Sequence, residues 1–411
     1  MAYTLSQSHR QPKDIMLTNS VNSFASWSKL LGSGDDDYVD RINHIYTVIV
    51  LIIFSIVSSS GTYIGHGISC WIPGEVKYTD YVKNLCWTGR TYHIPMTHDL
   101  GNKDKRIDIH YYLWVPMILL FQAFLFKSPN VLWKMLNKGN GMNIERLVTL
   151  SEDTQMVSEN KRVKVIEDMS NYIDRWIRAN RQMRFGKMTC LRQTISYFQM
   201  ITFSKREGTY LSSLYLLVKI IYFVNVIMQY YLLNALLRID YKAYGLNLAR
   251  EIAVNGTPAE SLYFPRITYC DFTIRQLNNK LPLTAQCILP INVLNEKMFA
   301  FLWFWFAVVG VFTFLNLLLW LYRMIARESY VGYIFKYLKR VGEGSSKNEK
   351  ARCKEFVERY LRNDGVMLLR VVAKNSTNLV VSDLVSNLWQ LYKKKDEATD
   401  IEKYTSSTTI V

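Results

Sequence analysis

Four long apolar runs constrain this chain more than any other feature. A helix that crosses the hydrocarbon core of a bilayer needs about 20 mainly apolar residues. Ile45 to Ile64 reads IYTVIVLIIFSIVSSSGTYI and holds no charge. Ile109 to Phe126 is shorter, is bounded by Asp108 and Lys127, and contains Pro116. Tyr210 to Leu237 carries one charge, Lys219, and Met298 to Tyr322 is uncharged, strongly aromatic and closed by Arg323. The alternative is four buried helices of a large soluble protein. Each run lacks a polar face, and a soluble core of this size cannot cover four such helices on every side. The pattern predicts an all-α membrane protein, a four-transmembrane-helix bundle.

The segments follow from the runs. Residues 1–44 form an N-terminal segment, 45–64 the first span, 65–108 a loop and 109–126 the second span. Residues 127–208 form a long loop, 209–237 the third span, 238–296 another loop, 297–322 the fourth span and 323–411 a C-terminal region. The first 40 residues are polar and hold neither an apolar h-region nor a small-residue cleavage site, so the first apolar run is expected to serve as the membrane signal. Met16 also offers a start.

Cysteine placement and charge both predict orientation. Cys70 and Cys86 lie between spans one and two, and Cys270 and Cys287 between spans three and four. Cys190 and Cys353 fall on the other side. Disulfides persist outside the cytosol, so the paired cysteines predict two disulfide-braced extracellular loops. Pairing within each loop and pairing between the loops are both open. Lys127 to Glu207 holds 15 basic against 8 acidic residues, and the region from Arg323 holds 17 against 11, while each cysteine-bearing loop holds 6 basic residues. The positive-inside rule places the basic regions, and with them both termini, in the cytosol. The formal net charge of +16 therefore reads as topology and not as nucleic-acid binding.

Single residues carry expectations of their own. Asn255-Gly256-Thr257 is a glycosylation sequon on the outer side, followed by Pro258. Asn375-Ser376-Thr377 fits the same pattern but falls in the cytosol. Val21, Phe24, Trp27, Leu30 and Leu31 recur at helical spacing, which predicts a short amphipathic helix on the membrane surface or in a pore mouth. Pro116 is expected to kink span two. Lys219 is expected to snorkel toward the cytosolic interface. Ser55, Ser58, Ser59 and Ser60 make the outer half of span one polar, for pore lining or for helix packing. Lys393-Lys394-Lys395 reads first as solvated surface, with contact to membrane lipid as the second reading. The terminal Thr409-Ile410-Val411 suits strand addition into a PDZ groove. There is no Walker loop, no GxGxxG motif and no HExxH, and the histidines show no metal-ligand spacing with the cysteines, so neither an enzyme nor a cofactor is expected.

Several segments resemble the innexins, the gap-junction proteins of invertebrates. Tyr111-Tyr112-Leu113-Trp114-Val115-Pro116 is similar to the family's YYQWVP signature, with Leu113 where Gln is usual. Phe264 to Phe272 looks like the family's second-loop segment, Asn295-Glu296-Lys297 leading into Phe301 to Phe306 is similar to its entry into span four, and Asp36 to Asp40 and Asp364-Gly365-Val366 resemble nematode-type members. The resemblance runs from about residue 20 to residue 392. It implies a ring, of eight subunits in the family, made with itself or with other innexins. The ring would dock onto a ring of the adjacent cell through the outer loops. It also implies a span one that lines the pore and an N-terminal helix that narrows its cytosolic mouth, with Asp35 to Asp37 as candidate voltage-sensing charges. An undocked hemichannel and a non-channel four-span adhesion protein are the competing readings.

Overall fold

A computed structural model describes residues 36–63, 67–72, 79–89, 91–94, 106–139, 141–180, 208–237, 241–256, 263–276, 278–343 and 347–408. The amphipathic segment from Val21 to Leu31, Asp35, Cys190, Thr409 and Val411 lie outside the described residues.

In chain order the helices begin with α1 (Tyr38–Arg41), a π turn at Ile42–Tyr46, and α2 (Thr47–Tyr63). The first loop contributes β1 (Ser69–Trp71), α3 (Thr79–Thr88), β2 (Thr91–His93) and β3 (Ile107–Ile109). A 3-10 turn at Tyr111–Leu113 leads into α4 (Val115–Lys138), followed by α5 (Ile144–Asp153) and α6 (Glu159–Ala179). Then come α7 (Tyr210–Leu237), α8 (Tyr241–Asn255), β4 (Ile267–Gln276), β5 (Asn279–Ile288) and α9 (Pro290–Ile325). The chain ends with α10 (Arg327–Arg340), α11 (Lys347–Glu355), a π turn at Phe356–Leu361, α12 (Arg362–Asn375) and α13 (Asn378–Thr408).

Among the described residues, four helices are long and apolar enough to cross a membrane: Tyr38–Thr62, Val115–Lys138, Tyr210–Leu237 and Pro290–Ile325. They match the four sequence runs in number and order. The second and fourth helices run well past the apolar runs, because helix formers continue the backbone bonds after hydrophobicity ends.

The chain divides into two compact units, one of Ile42–Val131 and Val218–Leu317, the other of the remaining segments. The first unit has two cores. One lies among the spans, where Leu51, Leu119, Phe126, Val226, Leu302 and Phe306 are buried. The other lies under a five-stranded antiparallel sheet of order β1-β5-β4-β2-β3. The sequence reading assigned no strands to the loops, so this sheet is an addition to the expected helical bundle. It interleaves the two loops: β1, β2 and β3 come from the first, β4 and β5 from the second. The second unit is helical, and α13 packs along α6 and α10.

Pro116 does not kink span two. It is the second residue of α4, where its missing N–H has no intrahelical partner to lose. The internal proline is Pro129, which cannot donate to the carbonyl four residues back. That carbonyl, of Leu125, accepts instead from the Ser128 hydroxyl at 2.9 Å.

Candidate functional site: the two-loop disulfide domain and the bases of the spans

The four loop cysteines pair across the loops. Cys70 bonds Cys287 and Cys86 bonds Cys270. The sheet dictates the first pairing, since Cys70 and Cys287 stand directly opposite in the β1–β5 register. The second ties α3 to β4. Cys86, Cys270 and Cys287 are all buried in the loop core beside Val82, Phe272 and Leu289. The open choice between pairing modes is thereby resolved in favour of pairing between loops.

A polar cluster ties together the middle strands of the sheet. Asp271 on β4 accepts from the Tyr92 hydroxyl at 2.7 Å, from Thr284 at 2.8 Å and from Arg106 at 2.8 Å. Arg106 also lies 4.3 Å from the Tyr92 ring centroid. Burial pushes the Asp271 carboxyl up, but these three donors outweigh it and hold it below the usual carboxylate range.

The signature segment joins the sheet to span two. Tyr112 is fully buried; its hydroxyl donates to the Trp87 carbonyl at 2.9 Å and its ring lies 4.6 Å from that indole. The Tyr111 hydroxyl donates to the Tyr263 carbonyl at 2.9 Å, and its ring meets Phe264 edge-on. Val115 is buried in the span core, whereas Trp114 is exposed. Leu113, the departure from the usual Gln, packs against the loop core. An apolar side chain suits that place.

The serines of span one divide. Ser55 is buried and donates to the Pro116 carbonyl at 3.0 Å, and Ser58 is fully enclosed. Both are enclosed, which fits the packing reading for these two. Ser59 is half-buried and Ser60 exposed. Lys219 does not snorkel: it is 2% exposed, enclosed within the bundle. Phe299, Trp303 and Phe306 are buried while Phe301 and Phe304 face outward. The Trp303 indole donates to the Tyr241 carbonyl at 2.9 Å, anchoring α8 to span four. Asn255 ends α8 and is exposed; Gly256 follows at φ +73 with open space around it.

At the bases of the spans the sequence reading missed a set of buried polar contacts. Asp364, buried, accepts from the Leu211 amide at 3.1 Å, the Ser212 amide at 2.9 Å and the Ser212 hydroxyl at 2.8 Å. It satisfies donors that the first turn of α7 would otherwise leave orphaned. Burial pushes its carboxyl pKa up, and these donors offset that only in part. Asp36 and Asp37 are also buried rather than free at the membrane edge. The basic run is not simply solvated either. Lys393 pairs with Glu343 at 3.0 Å and Lys395 with Asp174 at 2.6 Å; only Lys394 faces out. A motif in the sequence, Asp364-Gly365-Val366, pointed to one of these places, but nothing in it revealed the partner 150 residues earlier.

A family model for innexins matches residues 36–392. The chain is 32% identical to innexin unc-9 of Caenorhabditis elegans over 364 residues, which cover 87% of this chain and 92% of that protein. The chain belongs to the innexin family. Innexin-19 of Caenorhabditis briggsae is 31% identical over 400 residues, covering 90% and 89%. Innexin-3 of Caenorhabditis elegans is 32% identical over 367 residues, covering 88% and 84%. As an innexin, the chain is a multi-pass plasma-membrane protein and a subunit of oligomeric gap-junction channels, not an enzyme.

Proposed function

We propose that this innexin carries its disulfide sheet outside the cell and both termini inside, and that the sheet is the surface through which its ring docks onto a ring of the neighbouring cell. The observation that carries this is the interleaving of the two loops into one sheet with two bridges between them. Docking demands surfaces held at fixed height, and a cross-linked sheet limits the conformations available to either loop. The charge asymmetry supports the orientation, since the basic segments lie on the side opposite the cysteine-bearing loops.

The ring contains eight subunits, of this chain or with other innexins. Transport through it is passive, with selection by pore diameter and lining charge. Span one lines the pore through Ser59 and Ser60 and the exposed aliphatic face that includes Ile53 and Ile56; Ser55 and Ser58 hold the bundle together. Outward residues such as Phe124, Val311 and Phe312 meet lipid or a neighbouring subunit. The terminal Thr409 and Val411 form a PDZ ligand.

The deciding experiment is junctional current between paired cells expressing this chain, with single-cell current recorded alongside. Current across the junction establishes self-docking. A second reading, an undocked hemichannel, draws support from the exposed Asn255 in open surroundings, where a glycan would oppose docking. Current in single cells alone, with a glycan on Asn255, would replace the docking reading by that one.

A further inference from the structure

Helix α12 reaches the bases of three spans within one unit. At its first turn Asp364 caps the start of span three, as described. In its middle Arg370, 7% exposed, donates to the Arg323 carbonyl at the end of span four at 3.5 Å. Arg370 also donates to the Ser329 carbonyl and hydroxyl at 3.4 and 3.1 Å. At the last turn of α12 Lys374 pairs with the Asp37 carboxylate, and Arg41 donates to the Asn375 side-chain carbonyl at 3.2 Å. Asp37 and Arg41 stand at the approach to span one.

Asp37 is enclosed on every side that matters. It is 5% exposed, it accepts the Trp320 indole N–H at 2.6 Å, and Lys374 lies 4.5 Å from the centroid of the Trp320 ring. A carboxylate removed from water is tolerated only while its partners stay in place. A helix of 14 residues is also a stiff rod of about 20 Å. Displacing α12 therefore pulls on spans one, three and four at once.

We propose that α12 is the coupling element of this channel, and that Lys374 acts as a positioning residue which, through Asp37, fixes the residues leading into span one. The proposal rests on the channel reading. It gives Asp37 the role of a fixed anchor, in place of a charge free to move with membrane voltage. Signals arriving at the C-terminal helices then reach the pore through this pair, because the same helix that holds Lys374 also holds Asp364 and Arg370.

The test compares Lys374→Glu, Lys374→Arg, Asp37→Lys and the double variant Asp37→Lys/Lys374→Glu, in the full chain, in paired cells. Surface amount is measured by biotinylation, and conductance and its voltage dependence by clamp. Coupled pairs of this kind change an equilibrium by a factor of about five or more. Lys374→Glu should lower conductance per surface subunit by that factor and shift the voltage of half-closure. Lys374→Arg should stay within about twofold, and the double variant should recover most of the loss. Single variants that leave both readouts unchanged would overturn the proposal, as would a double variant no better than the product of the singles. Should Lys374→Glu fail to reach the surface, recovery of surface amount by the double variant supports the pair, and no recovery overturns it. Absence of current from the unmodified chain, alone and with another innexin, would defeat the channel reading instead. The same four variants compared by thermal melting of the purified ring then still decide the pair, by whether their effects couple.

Discussion

At the scale of single residues, the closest approaches in the structure are the most informative. Gly245 on α8 stands against span four, where an added Cβ would lie 2.2 Å from two ring atoms of Trp303. That ring is held by its own hydrogen bonds to the Tyr241 and Lys242 carbonyls, so it cannot simply swing away. Gly245→Ala should therefore destabilise the protein by about 1–3 kcal/mol, read as a lower melting temperature of the purified ring; an unchanged melt would show that α8 can lift off. Cys353 presents a different case, a free thiol. It is fully buried, and burial pushes its pKa up to about 11. Thiolate is the reactive form, so almost none exists at neutral pH. In a Cys190→Ser background, a maleimide at pH 7.4 should leave Cys353 unlabelled until the protein is denatured. Prompt labelling of the native protein would contradict its enclosure.

At the scale of elements, the start of span three depends on a side chain from a distant helix. Removing it by Asp364→Ala leaves the Leu211 and Ser212 amides without their acceptor. The expected loss is about 2–3 kcal/mol, seen as a lower melting temperature, with Asp364→Asn losing less because it retains one acceptor oxygen. Equal stability of Asp364→Ala and the unmodified chain would mean that water serves as well. The spans themselves were legible in the sequence, because hydrophobic length is a property of contiguous residues. Pro116 was legible as a proline but not as a helix start, since its meaning depends on where the helix begins, and the run from Ile109 concealed that the helix opens at Val115. The sheet was illegible for a different reason. β1, β2 and β3 are three residues each, too short to show alternation, and their partners lie in another loop. The facing of Ser55 stayed open and that of Lys219 was not legible on similar grounds: the side of a helix a residue faces is set by its neighbours, which an apolar run does not name.

At the scale of the whole molecule, the two bridges make the loops a single mechanical object. Cys270→Ser removes one of the two cross-links and should loosen the whole loop domain. The buried Cys86 loses its partner, α3 loses its tether to β4, and the loop domain should lose about 2–5 kcal/mol. Junctional current should vanish while the subunit still inserts in the membrane. Normal junctional current from Cys270→Ser would show that docking does not need a rigid sheet. The Asp271 cluster adds a pH dependence of known sign. Its carboxyl is held below the usual range, so its contribution is present above the ordinary carboxylate pKa and is lost as pH falls through the lowered value. Mild acidification should leave this part of the sheet intact.

The cross-loop bridges also impose a timetable. Cys70 and Cys287 are separated by 217 residues, and Cys86 and Cys270 by 184. At synthesis rates of about 5–20 residues per second, roughly ten to forty seconds pass between the appearance of the first member of a pair and the second. During that interval Cys70 and Cys86 share one compartment with no rightful partner, and the easiest bond open to them is the wrong one, with each other. On the proposed topology, a Cys70–Cys86 bond formed in that interval would have to be reshuffled before the native pairs could form. Correct pairing of these cysteines would, on that topology, depend on the redox machinery of the secretory pathway before any subunit meets another.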